Sequence, residues 1–106
     1  MNKLTITILT PKKRIEEAEE IFLNLVNKKE TQKDWECIGH RVFMKNEFMN
    51  RIYIFQNMET GEVHTLELFD SSFQSIQGQT FDNVICLDDR LIEEVKKRTL
   101  RHLIIL

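Results

Sequence analysis

Residues 75–89, Ser-Ile-Gln-Gly-Gln-Thr-Phe-Asp-Asn-Val-Ile-Cys-Leu-Asp-Asp, join a glycine turn to an apolar strand that ends in two adjacent carboxylates. The run Val84–Leu87 is apolar at every position and polar on both flanks, the pattern of a strand buried on both faces. The carboxyl end of such a strand is where open α/β sheets bind their ligands. Asp88 is therefore a candidate metal ligand, since hard oxygen donors suit Mg²⁺, and Asp89 a candidate for orienting an attacking water. A second reading uses the same residues: the two acids precede Leu91-Ile92-Glu93-Glu94-Val95 and cap a helix, complementing its dipole. The readings part on stability. Loss of a true cap costs about 1 kcal/mol, whereas removing one of two carboxylates gathered for a metal relieves repulsion, so Asp88→Asn would then leave stability equal or higher.

Outward from this stretch, Leu91–Thr99 has the spacing of a helix and His102–Leu106 that of a final apolar strand. Upstream, Arg51–Gln56 and Val63–Phe69 alternate as strands around a turn whose Gly61 supplies positive φ, which predicts a hairpin. Asp70–Gln79 is polar and reads as a connection ending at Gly78. Trp35–Phe48 fits either a strand broken at Gly39 or a short irregular piece; a strand is expected near Arg41–Lys45. At the N-terminus, Leu4–Leu9 reads as a mostly buried strand. Thr10-Pro11 is expected to start a helix, threonine as cap and proline at the first helical position, and Ile15, Ala18, Phe22, Leu25 and Val26 recur at helical spacing. Two apolar strands each followed by a helix imply right-handed crossovers. The expected fold is α/β, a mostly parallel sheet with an antiparallel hairpin, two main helices and three layers.

The chain has 106 residues, 42% hydrophobic and 30% charged, enough for one domain spanning residues 1–106 and one modest core. A net charge of −2 with interspersed signs makes no global case for nucleic acid or membrane. Cys37 and Cys86 match no metal or redox spacing and are expected as reduced thiols. No apolar run approaches the roughly 20 residues of a membrane span, and the N-terminus lacks the apolar region of a signal peptide; a cytoplasmic protein is the expectation. Lys12-Lys13-Arg14 is read as a solvated turn before a phosphate contact, and Phe69, Phe73 and Phe81 as core before a base-stacking surface.

The order of these parts resembles the ATPase domain of the large terminase subunits, the DNA-packaging motors of tailed phages, and more loosely helicases of the same P-loop class. Ile6–Arg14 is similar to the family's strand, hydroxyl turn and helix; Ile54–Phe69 to its hairpin; Ser75–Asp82 to its glycine turn; Val84–Asp89 to its Walker B strand; and Leu100–Leu106 to the strand leading to a coupling motif. The resemblance implies a P-loop-ATPase-like sheet in which Leu4–Leu9, Val84–Leu87 and Leu103–Leu106 lie parallel with Val84–Leu87 between the other two, with Asp88 on Mg²⁺, Asp89 as the catalytic acid, Gly78 and Gln79 near the cofactor, and the host cytoplasm as location if the chain is phage-encoded.

Three departures limit that implication. No Gly-x-x-x-x-Gly-Lys-Ser/Thr loop exists among Gly39, Gly61 and Gly78, so nothing cradles the phosphates. The second acid is Asp89 where the family has glutamate, and a displacement of about 1 Å costs on the order of 10²-fold. The chain stops where the coupling motif would begin. It reads as the middle of an ATPase domain: a fragment or degenerate relative that supplies the Walker B strand and is not an ATPase alone, with Mg²⁺ and ATP bound only if a second polypeptide, pairing with Leu103–Leu106, brings the phosphate loop. The alternative is a small phage-type interaction module with no nucleotide chemistry, docking by edge pairing. Four apolar residues at a free strand are what natural edges avoid, and they favour a missing neighbour.

Overall fold

The computed structural model describes residues 3–45 and 48–105. Six strands form one sheet in the order β2-β3-β4-β1-β5-β6: β1 is Lys3–Thr10, β2 Trp35–Lys45, β3 Phe48–Asn57, β4 Val63–Asp70, β5 Phe81–Cys86 and β6 Thr99–Ile105. The helices are α1 (Ile15–Thr31), a four-residue α2 (Phe73–Ile76) and α3 (Ile92–Arg98).

The expected mostly parallel, P-loop-ATPase-like sheet is not what forms. The sheet is mixed: β3 runs antiparallel to both its neighbours, β2 and β4, while β4, β1, β5 and β6 are parallel neighbours. The antiparallel half is larger than a hairpin because Trp35–Lys45 is one strand of 11 residues, longer than the expected Arg41–Lys45. Gly39 does not break that strand. It follows a bulge, in which Cys37 faces Phe55 and Gly39 faces Ile54, leaving Ile38 as the extra residue. Short connections then leave β3 and β4 no alternative to antiparallel pairing. Within the parallel half, β5 lies between β1 and β6, the local order expected from the resemblance for Leu4–Leu9, Val84–Leu87 and the final strand. Leu106, counted with the final strand, lies outside the described residues.

Each face of the sheet carries its own core. On one face Ala18, Phe22 and Val26 of α1 pack on Ile8, Phe55, Leu66, Leu68 and Ile85, the stripe its helical spacing predicts. On the other, Ile76 of α2 and Leu91 and Val95 around α3 pack on Leu9, Phe81, Val84 and Cys86. The helix starts differ from expectation. Pro11 stands outside the helix with extended backbone (ψ 157°), and a 3₁₀ turn at Lys12–Arg14 precedes α1. Thr10 does not cap; its hydroxyl donates to the Pro11 carbonyl at 2.9 Å. The polar stretch after β4 contains α2, closed by a capping box in which Ser72 and Ser75 bond each other's backbone N–H. Of the three phenylalanines around the glycine turn, Phe81 is core, Phe69 half-buried, and Phe73 is 64% exposed rather than core.

Candidate functional site

Asp88 and Asp89 stand at the carboxyl end of β5, but in unlike surroundings. Asp88 is 2% exposed and Asp89 lies in the open at the start of a 3₁₀ turn. Four hydrogen bonds converge on the Asp88 carboxylate. Arg90 donates Nε to Oδ1 at 3.0 Å and Nη2 to Oδ2 at 2.8 Å, its backbone N–H reaches Oδ1 at 3.1 Å, and the Ser71 hydroxyl donates to Oδ2 at 2.9 Å. The Arg90 guanidinium holds the Asp88 carboxyl below the usual carboxylate range; burial opposes this, and the Ser71 bond adds to it. Asp88 is thus a buried N-cap with its acceptor positions engaged and its charge matched. The Mg²⁺ that the terminase resemblance implies does not fit this side chain as it is held, because a cation there must first displace Arg90. Among the described residues no cluster of three or more His, Cys, Asp or Glu is placed to hold a metal.

Around these acids lies a cleft of about 400 Å³, lined also by Pro11, Lys13, Arg14, Leu87 and Arg90. Arg14, read from the sequence as part of a solvated turn, is a tie between α1 and β5. Its Nη1 donates to the Leu87 carbonyl at 2.7 Å, and it grips Glu17 with two bonds of 3.0 Å. Gly78 and Gln79 do not join this cleft. Gly78, at φ 76°, turns the chain between α2 and β5, and Gln79 lines a separate cavity on the α2 face. The candidate site residues therefore fall into two places.

Sequence reasoning missed Ser71, Arg90 and Arg14. Arg90 was legible in principle: an arginine two residues after a capping aspartate can fold back on it. Ser71 and Arg14 come from other elements, 17 and 73 positions from their partners, and had no local signal. Of the two cysteines, both free, Cys37 is exposed and Cys86 buried; burial raises the Cys86 thiol pKa, so this strand residue is packing rather than a nucleophile.

A third place is the β6 edge. Its pairing with β5 slips by one residue near the start and is regular from His102 to Ile105. Ile104 sits beside Ile85 on the α1 side and Ile105 beside Cys86 on the α3 side, and they are 47% and 52% exposed. Each face of the strand thus offers apolar surface to solvent, and among the described residues its outer backbone has no neighbour in the sheet. No helix among the described residues is long and apolar enough to cross a membrane. No protein-family model, curated protein or solved structure matches the chain.

Proposed function

We propose that this protein is an interaction module whose β6 edge accepts an extended, apolar strand from a second polypeptide, with no nucleotide chemistry of its own. One observation carries this: Leu103-Ile104-Ile105 has the composition of an interior parallel strand, which is normally covered on both faces, yet it occupies a sheet edge with Ile104 and Ile105 exposed on opposite faces. The occupant is a strand because what the edge lacks is backbone pairing as well as apolar cover. Selection from a library of random extended peptides on the immobilised protein tests it. Binders rich in β-branched and aromatic residues are expected, with affinity reduced at least about tenfold by Ile104→Lys or Ile105→Lys, since charge on an edge opposes pairing. Binders indifferent to both substitutions would overturn it.

The second reading, a fragment or degenerate relative of a DNA-packaging ATPase, draws on Asp88 and Asp89 at the carboxyl end of a strand held between parallel neighbours. Against it stand the grip of Arg90 on Asp88 and the lack of a phosphate loop. Calorimetry with ATP and Mg²⁺ is expected to give nothing tighter than about millimolar, or ~4 kcal/mol; a micromolar dissociation constant would favour this reading instead.

A further inference from the structure

Beside the β6 edge, α3 carries a division of charge that an incoming strand alone would leave unmatched. The helix packs through Leu91 and Val95 on Val84 and Cys86 of β5, with Ile92 and Leu103 of β6 against the same cluster, so it lies over the outermost pair of strands. Acids fill its first turn, Glu93 and Glu94, and bases its last, Lys96, Lys97 and Arg98. Its two flanks differ. On one, Glu94 takes Arg98 at 3.1 Å and Lys97 at 3.9 Å, and Arg98 Nη1 also donates to the Gln79 carbonyl at 3.5 Å, which turns this flank toward the α2–β5 connection. Helical spacing puts Ile92 and Lys96 on the opposite flank, with Glu93 three residues before Lys96. That flank looks out over β6, and Glu93 and Lys96 are exposed there and form no ion pair among the described residues.

A second copy of this chain answers strand, apolar cover and charge together. A two-fold axis perpendicular to the sheet sets β6 antiparallel to the β6 of the copy and keeps both α3 helices on one face. Strands lie about 4.8 Å apart, so helices each straddling the last two strands of their own sheet come within about 10 Å, the packing distance of helices. The helix α3 begins beyond the end of β5 and ends where β6 starts, so the axis reverses one helix on the other and Glu93 faces Lys96 of the copy, twice. On the strand, an axis at Leu103, inside the regular stretch His102–Ile105, sets His102 against Ile104 and Arg101 against Ile105 of the copy, so no like charges are opposed. On the other face α1 packs chiefly on β1, β2 and β4, which leaves Ile104 open, and the same axis sets the two Ile104 side chains diagonally against each other.

We propose that the occupant of the β6 edge is a second copy of this chain, paired antiparallel through β6 and α3 about a two-fold axis. This rests on the strand-accepting reading of the edge and names its partner; a foreign strand brings no helix to match Glu93 and Lys96. One strand and one short helix per copy bury an area at the low end for stable interfaces, so a dissociation constant of about 10 to 100 µM is expected, and the edge is open in dilute protein. Sedimentation equilibrium of the full chain, from low micromolar to near-millimolar concentration, tests it. A monomer–dimer equilibrium is expected. Glu93→Lys, which sets lysine against Lys96 twice, is expected to weaken dimerisation about tenfold. Glu93→Lys with Lys96→Glu is expected to restore it to within about threefold, although this double variant opposes the helix dipole at both ends and lowers the thermal midpoint. A role of these residues in folding alone gives no such rescue. Ile104→Lys is expected to leave only monomer. A chain monomeric throughout, a dimer unaffected by Ile104→Lys, or a charge swap without rescue would overturn the self-pairing. In the first case, selected peptides that still bind the β6 edge leave the strand-accepting reading standing, and the absence of binders as well would end both.

Discussion

The two edges of the sheet are protected to different degrees. At the β2 edge the ladder carries a bulge at Cys37–Gly39, which interrupts pairing at that point; from Gly39 to Lys45 the strand pairs regularly with β3. Its surface is further occupied by its own chain: His40 stacks on Tyr53 at 5.5 Å, the Arg41 guanidinium lies 5.3 Å from the Phe43 ring, and Lys29 lies 3.9 Å over Trp35. The β6 edge likewise has its irregularity at the first residues, after which Leu103, Ile104 and Ile105 run regularly beside Val84, Ile85 and Cys86. Exposed apolar side chains occur at both edges. What separates them is side-chain cover rather than regularity or hydrophobicity: Trp35, His40 and Phe43 of β2 each pack against a side chain of the same molecule, whereas Ile104 and Ile105 are exposed on opposite faces of β6.

The largest effect that would sharpen this contrast comes from the anchor of β6. Asp88 caps the turn into α3, which leads directly into β6. Asp88→Ala removes the cap and leaves the buried Ser71 hydroxyl and the Arg90 guanidinium without their acceptor. A loss of about 2 to 3 kcal/mol is expected, read by thermal or denaturant unfolding. This reverses the outcome the metal reading of Asp88 requires. Hydrogen exchange should rise more in β5 and β6 than in β2; a uniform rise would break the idea that the two edges are anchored separately.

A smaller effect distinguishes the edges by pH. Near the β2 end, His64 packs on Trp35 at 4.4 Å, and burial, aided by the Lys29 charge, lowers its pKa despite Glu62. A lowered folded value means that the unfolded chain takes the proton first. The contribution of His64 is therefore complete above its unfolded pKa of about 6.5 and is lost as pH falls through the folded value. The Asp88 carboxyl is also lowered, so its contribution holds above about pH 4 and is lost only as pH falls further. Exchange measured between pH 7 and 4 should loosen the Trp35–His64 contact while the turn at Asp88 holds. His64→Gln should remove the first step alone; persistence of that step would assign it elsewhere.

Smallest of all should be the cost of the edge variants themselves. Because Ile104 and Ile105 are half exposed, Ile104→Lys and Ile105→Lys should each change stability by no more than about 0.5 to 1 kcal/mol while removing strand binding. A larger loss would mean that β6 is core rather than an acceptor.

How far the sequence spoke follows the same division. Strands packed between parallel neighbours announce themselves as unbroken apolar runs, so Leu4–Leu9 and Val84–Leu87 were legible, as was α1 from its stripe; the order of neighbours came from the resemblance, not from the runs. Trp35–Lys45 was not, because an edge strand mixes charge with apolar residues and its bulge breaks the alternation a reader depends on; the mixed character of the sheet was lost with it. The acids at the end of β5 were found, but their state was set by Ser71 and Arg90 through contacts that spacing does not encode.

The central claim is that β6, and not β2, is the open edge. Amide hydrogen exchange on the full chain, alone and with a library-selected peptide bound, tests it most directly. Alternate residues of a parallel edge strand direct their N–H outward, so protection is predicted to rise at alternate positions of Thr99–Ile105 with β2 unchanged. Protection gained along Trp35–Lys45, or at neither edge, would contradict the account.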